Sequence, residues 1–316
     1  MSSEQLTVNS EQIMSKANST NSNRRVSNKV RWDSLLLALF FCSLLTAHCS
    51  LFSSCSSAPK ITGDVYEMRQ DAEGQLKQGT EQADRGNYAV ALVFINEAKR
   101  LAVITDNSSL MIRSDLSRGN VLFAMGNVED AVEAWNKALE EAVFAGNNEL
   151  AAVCRIHIAR GRLVSRNAAQ SVRDEVNQEI AQIKSDELYI AFAWTVIGLA
   201  ERDLNNYAAA EEAVKRALAI HLKAVSLELA AYDWFMIASF RSLSGNSGGA
   251  LDALESAIEY DRRTENSWGL ANDWQAFGDV QKKAGSRDAA NAAYVRAAAI
   301  FRALGNEEAA EKALSR

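Results

Sequence analysis

The sequence predicts an all-α fold built from a repeated unit of forty residues. Trp194, Trp234 and Trp274 stand forty residues apart, and small residues follow each of them at matching offsets. A fixed period of this size is typical of a repeat array. The chain has a single proline, Pro59, so nearly all of the sequence after it can run as helix. No sustained alternation of apolar and polar residues indicates a strand.

The N-terminal segment, residues 1–54, has the three parts of a secretory signal. A polar leader ends in basic residues, an apolar run covers residues 35–45, and smaller residues lead to Cys55. Eleven apolar residues are too few for a membrane span, which needs about 20. An uncleaved signal anchor and a soluble protein with a buried apolar helix are the alternatives, and Met14 is a possible start.

Cys55 is the predicted site of lipid attachment. The stretch Phe52-Ser53-Ser54-Cys55 resembles a bacterial lipoprotein box, although Phe52 replaces the usual aliphatic residue. The resemblance implies cleavage before Cys55 and a covalent lipid on it. Residues 55–66 would then form a tether and residues 67–316 the helical array. The expected location is the periplasmic side of a membrane, the outer membrane in preference to the inner one.

Each unit of the array has a large residue, a small residue four positions later, a turn, and then two alanines seven positions apart. In the last unit these residues are Trp274, Gly278, Gly285, Ala290 and Ala297. This pattern resembles the tetratricopeptide repeat, over about residues 72–304. The resemblance implies a right-handed superhelical solenoid of about six helix-turn-helix repeats with a C-terminal capping helix. The forty-residue period exceeds the usual 34, so longer helices are expected.

Turns and irregular units are also marked in the sequence. Pairs of Asn and Gly predict the turns; they are Asn147-Asn148, Asn205-Asn206, Gly245-Asn246 and Gly305-Asn306. The unit near 152–185 departs from the pattern, because Ser171 and Gln178 stand where alanine is expected. Helices are expected there with altered packing. Residues 307–316 are predicted to form the polar capping helix that a solenoid end requires.

The resemblance further implies that the first helix of each unit lines an inner groove, in which a protein or peptide binds. Aromatic side chains and arginines are typical interface anchors. The candidate groove residues are Arg113, Asn120, Phe123, Arg160, Phe192, Arg202, Tyr232, Phe235 and Asn272. In an alternative interpretation, Phe192 and Phe235 pack between neighbouring first helices instead.

Charge and motifs exclude several classes of function. The net charge of −6 does not favour binding to nucleic acid, because proteins that bind nucleic acid carry basic patches. No metal or nucleophile motif is present, and Cys154 is predicted to be a small buried residue. The sequence therefore predicts a non-enzymatic scaffold of the cell envelope, with no cofactor besides the lipid. The alternative is a small-ligand-binding accessory subunit of an envelope transport system.

Overall fold

The computed structural model describes residues 63–164 and 166–316, and these residues form α-helices joined by short links, with no strand among them. Numbered in chain order, the helices are α1 Asp64–Asp84, α2 Tyr88–Ile104, α3 Ser108–Ala124, α4 Val128–Phe144, α5 Asn148–Arg162, α6 Ala169–Glu179, α7 Glu187–Asp203, α8 Tyr207–Lys223, α9 Leu227–Leu243, α10 Ser247–Arg263, α11 Ser267–Lys283, α12 Arg287–Ala303 and α13 Glu307–Leu314. Two 3-10 turns, Arg166–Ala168 and Ile180–Gln182, flank α6. Cys55 and the predicted leader lie outside the described residues.

The helix lengths explain the forty-residue period. Helices α2–α4 and α7–α12 are each 17 residues long, and three residues join neighbours within each of these two series. Two helices and two links therefore make one unit of forty residues. Consecutive helices pack as pairs from α1 with α2 to α11 with α12. The predicted all-α array of about six helix-turn-helix units is confirmed.

Each three-residue link reverses the chain with one residue at positive φ, and in several links the next residue caps the following helix through its side chain. Gly245 has a φ of 88°, and the Asn246 side chain accepts a hydrogen bond from the backbone N–H of Gly249 at 2.9 Å. Asn205 takes the equivalent place with a φ of 60°. Gly and Asn tolerate this left-handed conformation, and Asn also satisfies a free N–H at the helix start. The turns predicted from these residue pairs are confirmed.

Glycines let the two helices of a unit approach closely. A Cβ atom at Gly119 would lie 2.3 Å from the Trp135 indole, and one at Gly278 would lie 2.4 Å from the Tyr294 ring. Any larger residue would push the aromatic ring away. The small residues of the repeat are therefore packing positions, as the resemblance implied.

The third unit is shorter than its neighbours. Helix α6 has 11 residues and buries three side chains, Ala169, Val172 and Val176. The segment after it is tied to the start of α5, because the Glu149 carboxylate accepts from the backbone N–H groups of Lys184 at 3.0 Å and Ser185 at 2.7 Å. The helices expected in this unit are present, and the altered packing takes the form of a truncated second helix.

The solenoid ends on the short helix α13. Gly305 adopts a φ of 77°, and the Asn306 side chain accepts from the backbone N–H of Ala309 at 2.9 Å. Ala310 and Ala313 are fully buried while the outer face is polar. The predicted capping helix is confirmed. None of the described helices is both long and apolar enough to cross a bilayer.

Candidate functional site

A cavity of about 420 Å³ lies where the first helices of units four, five and six, α7, α9 and α11, face one another. Binding sites for small molecules and inserted side chains usually measure about 300–1,000 Å³, so this volume is sufficient for a ligand group. The residues that line it include Arg202, Asp203, Tyr207, Phe235, Ser239, Ser242, Asp279 and Lys283. The wall is therefore mixed, with charged groups beside an aromatic ring.

The charged pair of α7 keeps free hydrogen-bonding capacity. The Nε and Nη2 atoms of Arg202 both lie near the Asp203 Oδ1, at 2.8 Å and 2.7 Å. The side chains of Arg202 and Asp203 are only 8% and 5% exposed. Nη1 of Arg202 and Oδ2 of Asp203 are buried without a hydrogen-bond partner. Leaving such atoms unpaired costs free energy, about 1–3 kcal/mol each, which a ligand that pairs with them would recover.

The opposite wall of the cavity is held in place by α12 and the chain end. The Tyr294 hydroxyl donates to Asp279 Oδ1 at 2.9 Å, and Arg316 pairs with Asp279 Oδ2. Burial, then the hydrogen bond to Asp279, raises the pKa of Tyr294 to about 12. Lys283 donates to the Ser242 carbonyl, which links α11 to α9. These contacts fix the wall of α11 relative to α9.

A second cluster of predicted groove residues is closed rather than open. The Arg160 guanidinium lies 4.2 Å from the centre of the Phe123 ring and 5.5 Å from that of Phe192. Phe192 stacks on His157 with ring centres 4.3 Å apart. Burial lowers the pKa of Arg160 to about 9 and that of His157 to about 3, so at neutral pH the first is charged and the second is neutral.

The expectation of an exposed aromatic lining therefore needs correction. Neighbouring helices cover the predicted rings and guanidinium groups, and Phe192 packs against His157 of a neighbouring first helix, as the alternative interpretation held for it. The buried members of the predicted set, each at most 8% exposed, are Phe123, Arg160, Phe192, Arg202, Tyr232 and Phe235. Of these, Arg202 and Phe235 line the cavity. Binding of a partner by this face stays a prediction.

The remaining predicted groove residues are engaged with their own neighbours. Arg113 forms an ion pair with Glu73 of the preceding unit at 2.9 Å. Asn120 accepts a hydrogen bond from the Trp135 indole at 3.1 Å. Asn272 donates to the Trp268 carbonyl at 2.9 Å. The cavity thus brings together only two members of the predicted set.

One repeat of the chain matches a known protein family. The sequence model of the tetratricopeptide repeat matches residues 193–220, which span most of α7 and α8. The chain contains a tetratricopeptide repeat and has the fold of a solenoid built from such helix pairs.

Solved structures of tetratricopeptide-type solenoids share its fold at low sequence identity. A Rap protein complexed with Competence and Sporulation Factor is 15% identical, with 80% of this chain and 77% of that chain covered and a TM-score of 0.58. BtubC from P. vanneervenii is 13% identical, with 77% and 93% covered and a TM-score of 0.52. PilW, a type IV pilus biogenesis factor, is 18% identical, with 76% and 97% covered and a TM-score of 0.50. No curated protein sequence matches the chain.

The tetratricopeptide-repeat solenoid also buries acidic groups between successive units. His221 Nδ1 lies 2.6 Å from Asp233 Oδ2 at the contact of α8 with α9, and both residues are at most 2% exposed. Burial raises the pKa of Asp233. Forty residues further along, Asp261 and Asp273 occupy the equivalent positions at the contact of α10 with α11. Neither pair was among the residues predicted from the sequence, although their forty-residue spacing is a visible signal.

The carboxyl groups of Asp261 and Asp273 are hydrogen-bonded to each other. A hydrogen bond between two carboxyl groups requires a proton on one of them. Burial first, and then the neighbouring Asp261, raise the pKa of Asp273 well above its usual range. This pair is an internal acid that stays partly protonated where an exposed aspartate is ionised.

Side chains that could hold a metal ion do not cluster in the part of the chain that the structure describes. No cluster of three His, Cys, Asp or Glu side chains occurs there. Cys154 is fully buried, and burial raises the pKa of its thiol to about 12. The thiol is therefore protonated at neutral pH, and the prediction of a buried residue is confirmed.

Proposed function

We propose that this protein is a lipid-anchored scaffold of the bacterial cell envelope, which holds a segment of a partner protein in the cavity between α7, α9 and α11. The observation that supports this proposal is the buried Arg202–Asp203 pair at the cavity wall, with one donor and one acceptor unused. A polypeptide segment offers both a carbonyl and an N–H group to such a pair. Both atoms are covered by neighbouring side chains, so binding requires small side-chain movements there.

The shape of the wall also suits a polypeptide. Phe235 offers an aromatic surface to an apolar side chain, and Ser239 and Ser242 lie one and two turns along the same helix. Asp279 and Lys283 place opposite charges on the facing helix. A segment with mixed polar and apolar character therefore meets complementary groups, whereas a purely anionic ligand would meet two aspartates.

Structurally similar proteins support a binding role. The similar Rap protein was solved in complex with Competence and Sporulation Factor, and PilW is described as a pilus biogenesis factor. The Rap protein is thus a solenoid of similar fold with a bound partner. For this chain, the comparison supports recognition of a partner and not the identity of that partner.

The anchor is the second part of the proposal and rests on Cys55. A buried acyl chain contributes about 0.8 kcal/mol per methylene, so two or three chains hold a protein on a bilayer where one does not. Cells grown with labelled palmitate should incorporate label into the wild type and not into Cys55→Ser. Equal labelling of both proteins would disprove the anchor.

Site-specific photocrosslinking in the native cells tests the cavity. A photoreactive residue replaces Ser239, which lines the cavity, and a control replaces Glu255, which is exposed on α10. A defined protein adduct at position 239 and not at 255 is expected, and mass spectrometry then identifies the partner. Adducts of equal yield at both positions would remove the cavity as the partner site.

The cavity volume favours a second candidate, a small-ligand-binding subunit of an envelope transport system. At about 420 Å³ the cavity accommodates a small molecule without any peptide. Native mass spectrometry of the purified full chain would show such a molecule as added mass. That mass should be lost in Ser239→Trp, which fills the cavity, and kept in Glu255→Trp.

A further inference from the structure

One edge of the solenoid carries exposed apolar side chains near the start of the described chain. The edge comprises the links that follow α2 and α4 together with the first turn of α1. Arg69 fixes this arrangement, because its Nη2 donates to the Thr105 carbonyl, just past the end of α2, at 3.1 Å. The exposed large apolar residues of this edge, which we name the N-terminal edge, are Val65, Tyr66, Val103, Ile104, Val143 and Phe144.

The repeat aligns these side chains into one strip. Ile104 and Phe144 are forty residues apart and occupy the same position in successive units, as do Val103 and Val143. Phe144 is 87% exposed, more than any other large apolar residue described. The opposite edge of the same two units exposes fewer large apolar side chains, Met125 in the link after α3 and Val90 in the first turn of α2. Aligned apolar patches of this kind mark a contact surface.

The position of the predicted anchor indicates what covers the strip. Gly63 directly precedes α1 and stands eight positions after Cys55. Eight residues span at most about 28 Å when fully extended. A lipid on Cys55 would therefore hold the start of α1, and with it the N-terminal edge, within that distance of the bilayer.

The charge of the edge indicates how it would meet lipid. Its exposed acidic residues outnumber the basic ones; they are Asp64, Glu67, Asp106 and Glu140, against Arg69 and Arg100. Attraction to anionic headgroups is therefore not available. Apolar insertion remains, and aromatic residues such as Phe144 and Tyr66 are the side chains that favour the interface between water and lipid.

We infer that the N-terminal edge lies on the bilayer surface, with Phe144 and Ile104 inserted among the lipids. The inference rests on the lipid anchor proposed at Cys55. The anchor supplies proximity and the edge supplies orientation, so that the N-terminal edge of the first two units faces the membrane.

Photocrosslinking to lipid in membranes of cells that express the full chain tests this contact. A benzophenone residue replaces Phe144, and the matched control replaces Met125 on the opposite edge. Phospholipid adducts should be about tenfold more abundant at position 144, with little change at high salt, because insertion and not charge drives the contact. Equal lipid yields, an adduct to another protein, or an adduct to a second copy at position 144 would overturn the inference.

The proposal of the lipid anchor and the inference about the N-terminal edge can be disproved separately. Palmitate labelling of wild type and Cys55→Ser reports on the anchor alone, because only the acyl chains carry the label. A protein that fractionates with membranes through Cys55 but gives no lipid adduct at position 144 keeps the anchor and loses the edge. Equal palmitate labelling of wild type and Cys55→Ser disproves the anchor, while the adducts still report on the edge.

A double variant separates contact from folding. Both Ile104→Ser and Phe144→Ser remove exposed side chains, so the melting temperature should stay unchanged. With both substitutions in place, lipid adducts from a benzophenone at position 143 should fall about tenfold, since the strip no longer inserts. Undiminished adducts would show that these two side chains do not make the contact.

Discussion

Val225 is the residue at which sequence and backbone conflict most clearly. It occupies the positive-φ place of the link between α8 and α9, with a φ of 58°. The equivalent place after α4 holds Gly146, with a φ of 67°. A β-branched side chain in this region is strained, by about 1–2 kcal/mol. Because Val225 is 51% exposed, little packing compensates for that strain.

Replacement of Val225 by glycine should therefore stabilise the protein. Relief of strain, about 1–2 kcal/mol, exceeds the entropic cost of glycine, about 0.5–1 kcal/mol, and leaves a net gain of about 0.5–1 kcal/mol. Urea denaturation should show a higher midpoint at an unchanged slope. The reverse change, Gly146→Val, should lower the midpoint. A lower midpoint for Val225→Gly would contradict this account.

The Asp261–Asp273 pair predicts a pH dependence of stability. The pKa of Asp273 is raised in the folded protein, whereas the unfolded value is about 3.9. The folded state therefore binds the proton more tightly than the unfolded state. This stabilisation is fully present below pH ~3.9 and is lost as the pH rises towards the folded pKa, by up to about 1.4 kcal/mol per pH unit.

Asp273→Asn should remove this dependence, because an amide can donate to Asp261 without titrating. Denaturation between pH 4 and 7 should show a smaller loss of stability with rising pH than in the wild type. Asp71→Asn, at an exposed position of α1, is the matched control and should leave the slope unchanged. Parallel curves for wild type and Asp273→Asn would show that the pair is not protonated.

At the scale of the elements, close approach of paired helices sets the tolerance to substitution. Gly278→Ala would place a methyl group 2.4 Å from the Tyr294 ring, which is itself 3% exposed and cannot move outward freely. We expect a loss of about 1–3 kcal/mol in the free energy of unfolding, as for other overpacked sites. Gly248→Ala meets nothing within 4 Å and should be neutral or stabilising by up to about 1 kcal/mol. Thermal denaturation of the two variants checks the contrast, which equal melting temperatures would refute.

The helical elements could be predicted from sequence because each is marked locally. Small residues at fixed spacing identify the paired helices, and the Gly and Asn pairs mark the links. The state of the predicted groove could not be read in the same way. Position along a helix places Phe192 on the inner face, but only the neighbouring helix, through His157, determines that it is covered.

The cavity and the acidic pairs could not be predicted from the sequence, and the physical reason is the same for both. Arg202 was identified as a groove residue, yet its pairing with Asp203 depends on side-chain orientation that no spacing reveals. Asp273 looks like an ordinary polar residue of an amphipathic helix until Asp261 of the preceding unit is placed against it. These pairings depend on how side chains are oriented and on contacts between units, whereas the repeat period indicates only which positions are equivalent.

At the scale of the whole molecule, each unit contacts mainly its neighbours, so local stability follows local packing. The largest apolar core extends from Ile112 to Val280 and passes through the third unit. Helix α6 contributes only three buried side chains to it and is bounded on both sides by 3-10 turns. The described solenoid therefore has its least supported interior helix between two well-packed blocks, units one to two and four to six.

Hydrogen exchange should detect this difference. Among the interior helices, α6 should have the lowest free energy of local opening. Amides of α6 should exchange faster than those of α8 and α10, which are six residues longer. The Glu149 side chain limits this opening, because its carboxylate accepts hydrogen bonds from the backbone N–H groups of Lys184 and Ser185. Glu149→Ala should accelerate exchange in α6 and in residues 183–186, while Glu140→Ala, an exposed neighbour on α4, should leave both unchanged. Uniform protection across α6, α8 and α10 would instead mean that the six units open as one cooperative body.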